Sequence, residues 1–206
     1  MSEAYPDLLE TPSRHDPFRT LVGCILSQRT RDSNSERAAE TLFSRASTPG
    51  DILGLRREEL HDLIRCSGFY RQKADHITGT CRALMERNDG DVPRDRETLL
   101  TLPGVGPKTA DIVLTHCFGE AAIPVDVHVS RVSKRLGLAP MDASPEETQS
   151  SLHTLIPRDK YLFYDRSIVR LGKEYCRKTN PLCGECPLRD CCDYQKSLTQ
   201  GYDALS

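Results

Sequence analysis

The chain carries no surplus of charge of either sign: in 206 residues, 28 lysines and arginines face 30 aspartates and glutamates, a formal net charge of −2. That balance excludes a protein coated in positive charge for indiscriminate nucleic-acid binding, so any polyanion must be met by a local patch. Long apolar runs are missing too. The longest fall far below the ~20 residues that cross a bilayer, so no membrane is expected as a partner. No leader with a basic end and an apolar centre is recognisable, and the nine cysteines are an odd number. A secreted disulfide scaffold is therefore not expected, and a reducing compartment, the cytoplasm, is. Internal repeats and low-complexity linkers are also absent, and the length allows one large or two small domains.

What is present is helical punctuation. Asp16 and Pro17 read as an N-cap and a first helical residue, and Phe18, Leu21, Val22, Ile25 and Leu26 then recur with the spacing of a buried helix face. Thr48-Pro49 and Ser144-Pro145 repeat the signal, and Glu147 completes a capping box with Ser144. Leu60, Leu63 and Ile64 form another stripe; Ala74, Ile77, Cys81, Leu84 and Met85 form a longer one. Cys24, Cys66, Cys81 and Cys117 lie inside such patterns and are expected in the core as small hydrophobes. One stretch is ambiguous, because Val125, Val127 and Val129 alternate with Asp126, His128 and Ser130 as a half-exposed strand would. Asp126 as an N-cap, with Gly137 as a stop, favours a helix. The expected fold class is all-α, with roughly ten short helices.

Near the C-terminus, Cys176, Cys183, Cys186 and Cys192 follow the spacing C-x6-C-x2-C-x5-C. So short a loop buries no core of its own, and four thiolates on one centre would supply the missing cross-links. Zinc sites bring thiolates in two close pairs, whereas only one pair is close here, and Pro187 follows the third cysteine. The spacing favours an iron-sulfur cluster over zinc. Cys191 adjoins Cys192 and competes for the fourth place; Cys192 is taken as the ligand and Cys191 as a bystander.

A second constellation is Leu102-Pro103-Gly104-Val105-Gly106-Pro107-Lys108-Thr109-Ala110, between one apolar helix end and the start of another. It reads as a helix-hairpin-helix. Gly104 and Gly106 are expected to allow positive φ and close approach of backbone amides to a ligand, and free amides at a helix start suit a phosphate. A glycine pair alone is an ordinary turn; the whole nonapeptide is more specific. Lys108 falls in the first turn, where partial burial is expected and an amine is placed to act as a nucleophile. Asp126 can cap its helix, handle a proton or stabilise a developing cation. On a helix His128, Arg131 and Arg135 share a face, either a phosphate-binding stripe or a merely solvated one.

Taken in order, L-P-G-V-G-x-K-T-A, then V-D-x-H with its following arginine, then the four-cysteine spacing, resemble the endonuclease III family of helix-hairpin-helix DNA glycosylases, from about Phe18 to Tyr194. The resemblance implies two α-helical domains: a six-helix barrel domain over residues 16–120, and a second domain from residues 1–15 and 121–206 with a 4Fe-4S cluster. It implies a cytoplasmic, nucleoid-associated monomer whose partner is damaged double-stranded DNA. Lys108 would attack C1′ of a flipped nucleotide, release an oxidised pyrimidine such as thymine glycol and form a Schiff base, with Asp126 assisting. β-Elimination would then cut the strand. Two positions match the family's duplex-invading loops. Arg29 stands where glutamine is commoner, and Phe69 where an aliphatic wedge is commoner; an aromatic ring can also insert between base steps. The alternatives are a mismatch- or uracil-specific relative, against which Lys108 argues, and a non-catalytic iron-sulfur DNA-binding module.

Overall fold

The computed structural model describes residues 4–8, 15–120 and 122–203. Its regular structure is helical, with no strand among the described residues. The chain divides into two compact units, Arg14–Glu120 and the combination of Met1–Ser13 with Ala121–Ser206.

The unit of contiguous chain opens with α1 (Pro17–Ser27), capped by Asp16, whose side chain accepts from the Arg19 amide at 2.7 Å. Its five periodic residues Phe18, Leu21, Val22, Ile25 and Leu26 are all buried. Helices α2 (Asp32–Arg45), α3 (Pro49–Gly54) and α4 (Arg57–Ile64) follow. A reciprocal capping box between Thr48 and Asp51 starts α3, a cap worth about 1 kcal/mol. The 18-residue α5 (Tyr70–Arg87) buries Ala74, Ile77, Cys81 and Leu84. Met85, read as part of that stripe, is 46% exposed. It lies one residue past Leu84, and the helical rotation turns it off the buried face. The hairpin consists of α6 (Arg96–Leu100) and α7 (Pro107–Val113), which continues as a π-helical turn over Leu114–Phe118. Arg96 Nε donates to the buried Asp111 Oδ1 at 2.8 Å and ties α6 to α7. Cys81 and Cys117 are buried as expected, but Cys24 and Cys66 only partly so.

The second unit contains α8 (Val127–Arg135), α9 (Pro145–Leu155), α10 (Tyr161–Glu174) and α11 (Asp193–Asp203). Its core joins Tyr5, Ile123, Val129, Val132, Leu152, Tyr164, Ile168 and Leu171. The strand-like alternation runs into α8 and has no sheet to serve among the described residues: Val127 is 72% exposed, and Val129 and Val132 carry the burial. The N-terminal segment docks on α10. The Tyr5 hydroxyl donates to Glu174 Oε2 at 3.0 Å, Arg170 lies 4.8 Å over the Tyr5 ring, and Arg170 pairs with Asp7 at 2.8 Å.

Candidate functional site

In the contiguous unit the hairpin turn has one obligatory glycine. Gly104 sits at φ +76, and a Cβ there would meet the His76 ring at 2.7–2.9 Å, so left-handed backbone and close packing both require it. Gly106 differs from the expectation: its φ is −103, and open space surrounds the place of its Cβ. It therefore leaves the turn uncovered and does not shape it. The turn is braced from below by Thr80, whose hydroxyl donates to Pro103 O at 2.8 Å, and by Gln28, whose Nε2 donates to Gly104 O at 2.7 Å.

Pro107 opens α7, and no side chain caps its first turn. Lys108, in that turn, is exposed and not partly buried as expected. Among the described residues its amine has no hydrogen-bond or ion-pair partner. Its charge reaches the Cys24 thiol on α1, where burial pushes the thiol up to about 11 and the Lys108 charge works against that rise.

Arg29 and Phe69 are separated by forty residues of sequence yet line one cavity of about 250 Å³, with Gln28, Gln72, Lys73 and His76. Both are non-glycine residues in left-handed backbone, Arg29 at φ 50 and Phe69 at φ 57. Phe69 is 61% exposed, so its ring does not pack in the core. The sequence reading missed Lys73, Gln72 and His76 here. A signal existed for Lys73, which continues the buried register of Ile77, Thr80 and Leu84 along α5.

In the second unit, Asp126 Oδ1 accepts from the amides of His128 at 2.8 Å and Val129 at 2.7 Å. Among the described residues no hydrogen bond engages Oδ2. The stripe of basic residues on α8 turns out to be committed within the unit. Arg131 donates from Nε to Cys176 O at 2.8 Å and from Nη2 to Gly172 O at 3.0 Å, and Nη2 also lies 3.0 Å from His128 Nδ1. A Cβ on Gly172 would approach His128 Nδ1 to 2.8 Å, so that glycine admits the imidazole against α10. Arg135 donates to Arg177 O at 2.8 Å and lies over the Tyr194 ring at 4.5 Å.

Cys176, Cys183, Cys186 and Cys192 line one apolar cavity with Val132, Leu136, Leu171 and Tyr175. Cys191 is exposed and outside that lining; its thiol donates to Leu188 O at 3.3 Å. Burial pushes the Cys183 thiol up, Cys176 and Cys192 push it further, and Arg135 acts in the opposite sense. Among the described residues no three His, Cys, Asp or Glu side chains are placed to hold a single metal ion.

Residues 22–158 match the family model described as HhH-GPD superfamily base excision DNA repair protein. The chain belongs to that superfamily. Endonuclease III of Thermotoga maritima is 45% identical to this HhH-GPD protein over 186 residues, which is 90% of this chain and 87% of the relative. For endonuclease III of Escherichia coli K12 the identity is 35% over 182 residues, 88% of this chain and 86% of the relative. A solved structure of a trapped endonuclease III-DNA covalent intermediate, an estranged-adenine complex, matches with a TM-score of 0.88 at 36% identity, covering 96% of this chain and 93% of that one. A thermostable thymine-DNA glycosylase matches with a TM-score of 0.78 at 26% identity over 88% and 85% of the two chains. This HhH-GPD protein is a base-excision-repair enzyme of the DNA glycosylase/lyase kind. No helix among its described residues is long and apolar enough to cross a membrane.

Proposed function

We propose that the enzyme removes oxidised pyrimidines such as thymine glycol from duplex DNA and then cuts the strand through a lysine Schiff base. The observation that carries this reading is the Lys108 amine, exposed and, among the described residues, unpartnered in the first turn of α7, just past the uncovered glycine turn. The amine attacks C1′ of the extruded nucleotide as the C1′–N bond to the base breaks, and the opened sugar becomes an iminium on Nζ. Loss of the C2′ proton expels the 3′ phosphate by β-elimination, and water later releases the enzyme. Asp126 Oδ1 holds the start of α8, which leaves Oδ2 to take a proton or stabilise the cation developing on the sugar. Gly104 and Gly106 expose backbone amides to a phosphate, a contact that positions the duplex without reading its sequence. Arg29 and Phe69 enter the stack, Arg29 against the orphaned base and Phe69 as a wedge. His128 and Arg131 support DNA binding by fixing α8 through His128 Nδ1 and the Gly172 and Cys176 carbonyls, not by reaching phosphate themselves.

We further propose that Cys176, Cys183, Cys186 and Cys192 hold a 4Fe-4S cluster. The four thiols line a common apolar space, and their spacing, with one close pair and Pro187 after the third cysteine, favours a cluster over zinc. When bound, the cluster supplies cross-links to a loop with little core. The purified protein is expected to be brown, with broad absorbance near ~400 nm. Iron should be lost in Cys192→Ser and kept in Cys191→Ser; a colourless protein holding one zinc would refute the assignment.

Borohydride trapping tests the reaction, because reduction locks only a Schiff base. A thymine glycol duplex and an abasic-site duplex should both be trapped by the parent and by neither in Lys108→Gln. Trapping on the abasic duplex alone would reject oxidised pyrimidine as the substrate. No trapping on either would favour the monofunctional mismatch reading.

A further inference from the structure

Lys73 is 3% exposed, and among the described residues no carboxylate pairs with its charge. Its three ammonium donors are all used: Nζ donates to Leu26 O at 2.7 Å, to Thr30 Oγ1 at 2.7 Å and to Ser67 Oγ at 2.8 Å. The acceptors are not spread through the core. Leu26 O belongs to the last turn of α1, whose negative dipole end favours a cation. Thr30 follows Arg29 directly, and Ser67 stands two residues before Phe69.

The same hub binds the two segments to each other. Ser67 Oγ donates to Leu26 O at 2.9 Å, and the Gly68 amide donates to Thr30 Oγ1 at 3.0 Å. A Cβ on Gly68 would come within 3.2 Å of both Arg29 O and Thr30 Oγ1, so the backbones touch where the hub joins them. On its outer side Arg29 and Phe69 hold left-handed backbone, unfavourable for a bulky side chain unless the surroundings impose it.

We propose that Lys73 is a positioning residue that locks the Arg29 and Phe69 segments into one rigid probe, so that both side chains enter the duplex together. The proposal rests on the reading of Arg29 and Phe69 as the duplex-entering residues. Lys73 itself touches neither DNA nor the reacting atoms. Its removal weakens base extrusion and leaves the chemistry at Lys108 intact.

The test compares the parent with Lys73→Met and with Thr30→Val, a near-isosteric change that removes only the hydroxyl. Three quantities are read: single-turnover base release from a thymine glycol duplex, strand cleavage at a preformed abasic site, and fluorescence of 2-aminopurine placed opposite either site. Both variants should slow base release by about tenfold or more and suppress the fluorescence rise that marks an unstacked orphan base. Cleavage of the abasic duplex should change less than about threefold, since a nucleotide without a base leaves the stack at little cost. On an Arg29→Ala/Phe69→Ala background, Lys73→Met should add nothing further.

Parallel loss of base release and abasic cleavage, or no loss in either variant, overturns the proposal. If Lys73→Met fails to fold, Thr30→Val decides. A parent inactive on thymine glycol but trapped on the abasic duplex refutes the substrate reading alone, and the fluorescence on that duplex still decides the role of Lys73.

Discussion

At the scale of single residues, Asp126 is a helix cap, and the proposed function asks the same side chain to act as a catalytic carboxylate. One oxygen satisfies two amides of α8, and among the described residues no hydrogen bond engages the other. Two substitutions separate the roles. Asp126→Asn keeps an equally good cap, so thermal unfolding should shift by only a few tenths of a kcal/mol, while base release falls by about a hundredfold or more. Asp126→Ala should show the same loss of activity plus about 1 kcal/mol of destabilisation, seen in urea unfolding. If Asp126→Asn retains full activity, the residue is a cap alone. The capping role was legible because it depends on neighbours two and three residues away. The destination of Arg131 was not, because the carbonyl it serves lies 45 residues downstream. A helical wheel places a guanidinium on a face and is silent about what stands opposite.

At the scale of elements, the hairpin was readable for a similar reason: cap, glycine, proline and apolar stripe all lie within one short run of chain. Sequence pattern misjudged two points in it: Lys108 is exposed, and Gly104 and Gly106 are not equivalent, since only Gly104 has positive φ and packs against His76. Helix α5 was read from its apolar stripe, with Met85 placed inside and Lys73 passed over. Lysine is ordinarily a surface residue, and its burial depends on acceptors supplied by α1 and two turns. Burial pushes Lys73 down to about 8. An unfolded lysine titrates near ~10.4. Between these values the unfolded chain binds more protons, so the cost of the buried charge is fully present below pH 8 and disappears as pH rises towards 10.4. Relative to Lys73→Met, the parent should therefore gain on the order of 2 kcal/mol of stability from pH 7 to pH 10 in urea unfolding. A difference that does not change with pH would mean that burial leaves the amine unshifted.

At the scale of the whole molecule, near-neutral charge sets the expectation that any polyanion is met by a local patch. The helical class followed from periodicity, and the family from motif order. What no pattern revealed was the role of the first few residues. Tyr5 and Asp7 reach Glu174 and Arg170 on α10, a hydrogen bond spanning 169 positions in the case of Tyr5. Such pairing leaves no local trace in either segment.

That long-range clasp sets an order of events at the ribosome. The Arg14–Glu120 unit is one uninterrupted stretch and can close as soon as it has emerged, whereas Tyr5 must wait for α10. At 5–20 residues per second the wait is about 10–30 s. Nascent chains arrested with Glu120 just outside the exit tunnel should already contain a protease-resistant core, with the segment around Tyr5 still cleavable. Protection of that segment should appear only once Glu174 has cleared the tunnel. Throughout that interval Tyr5 is an unburied aromatic awaiting its partner, open to any chaperone that binds a growing chain.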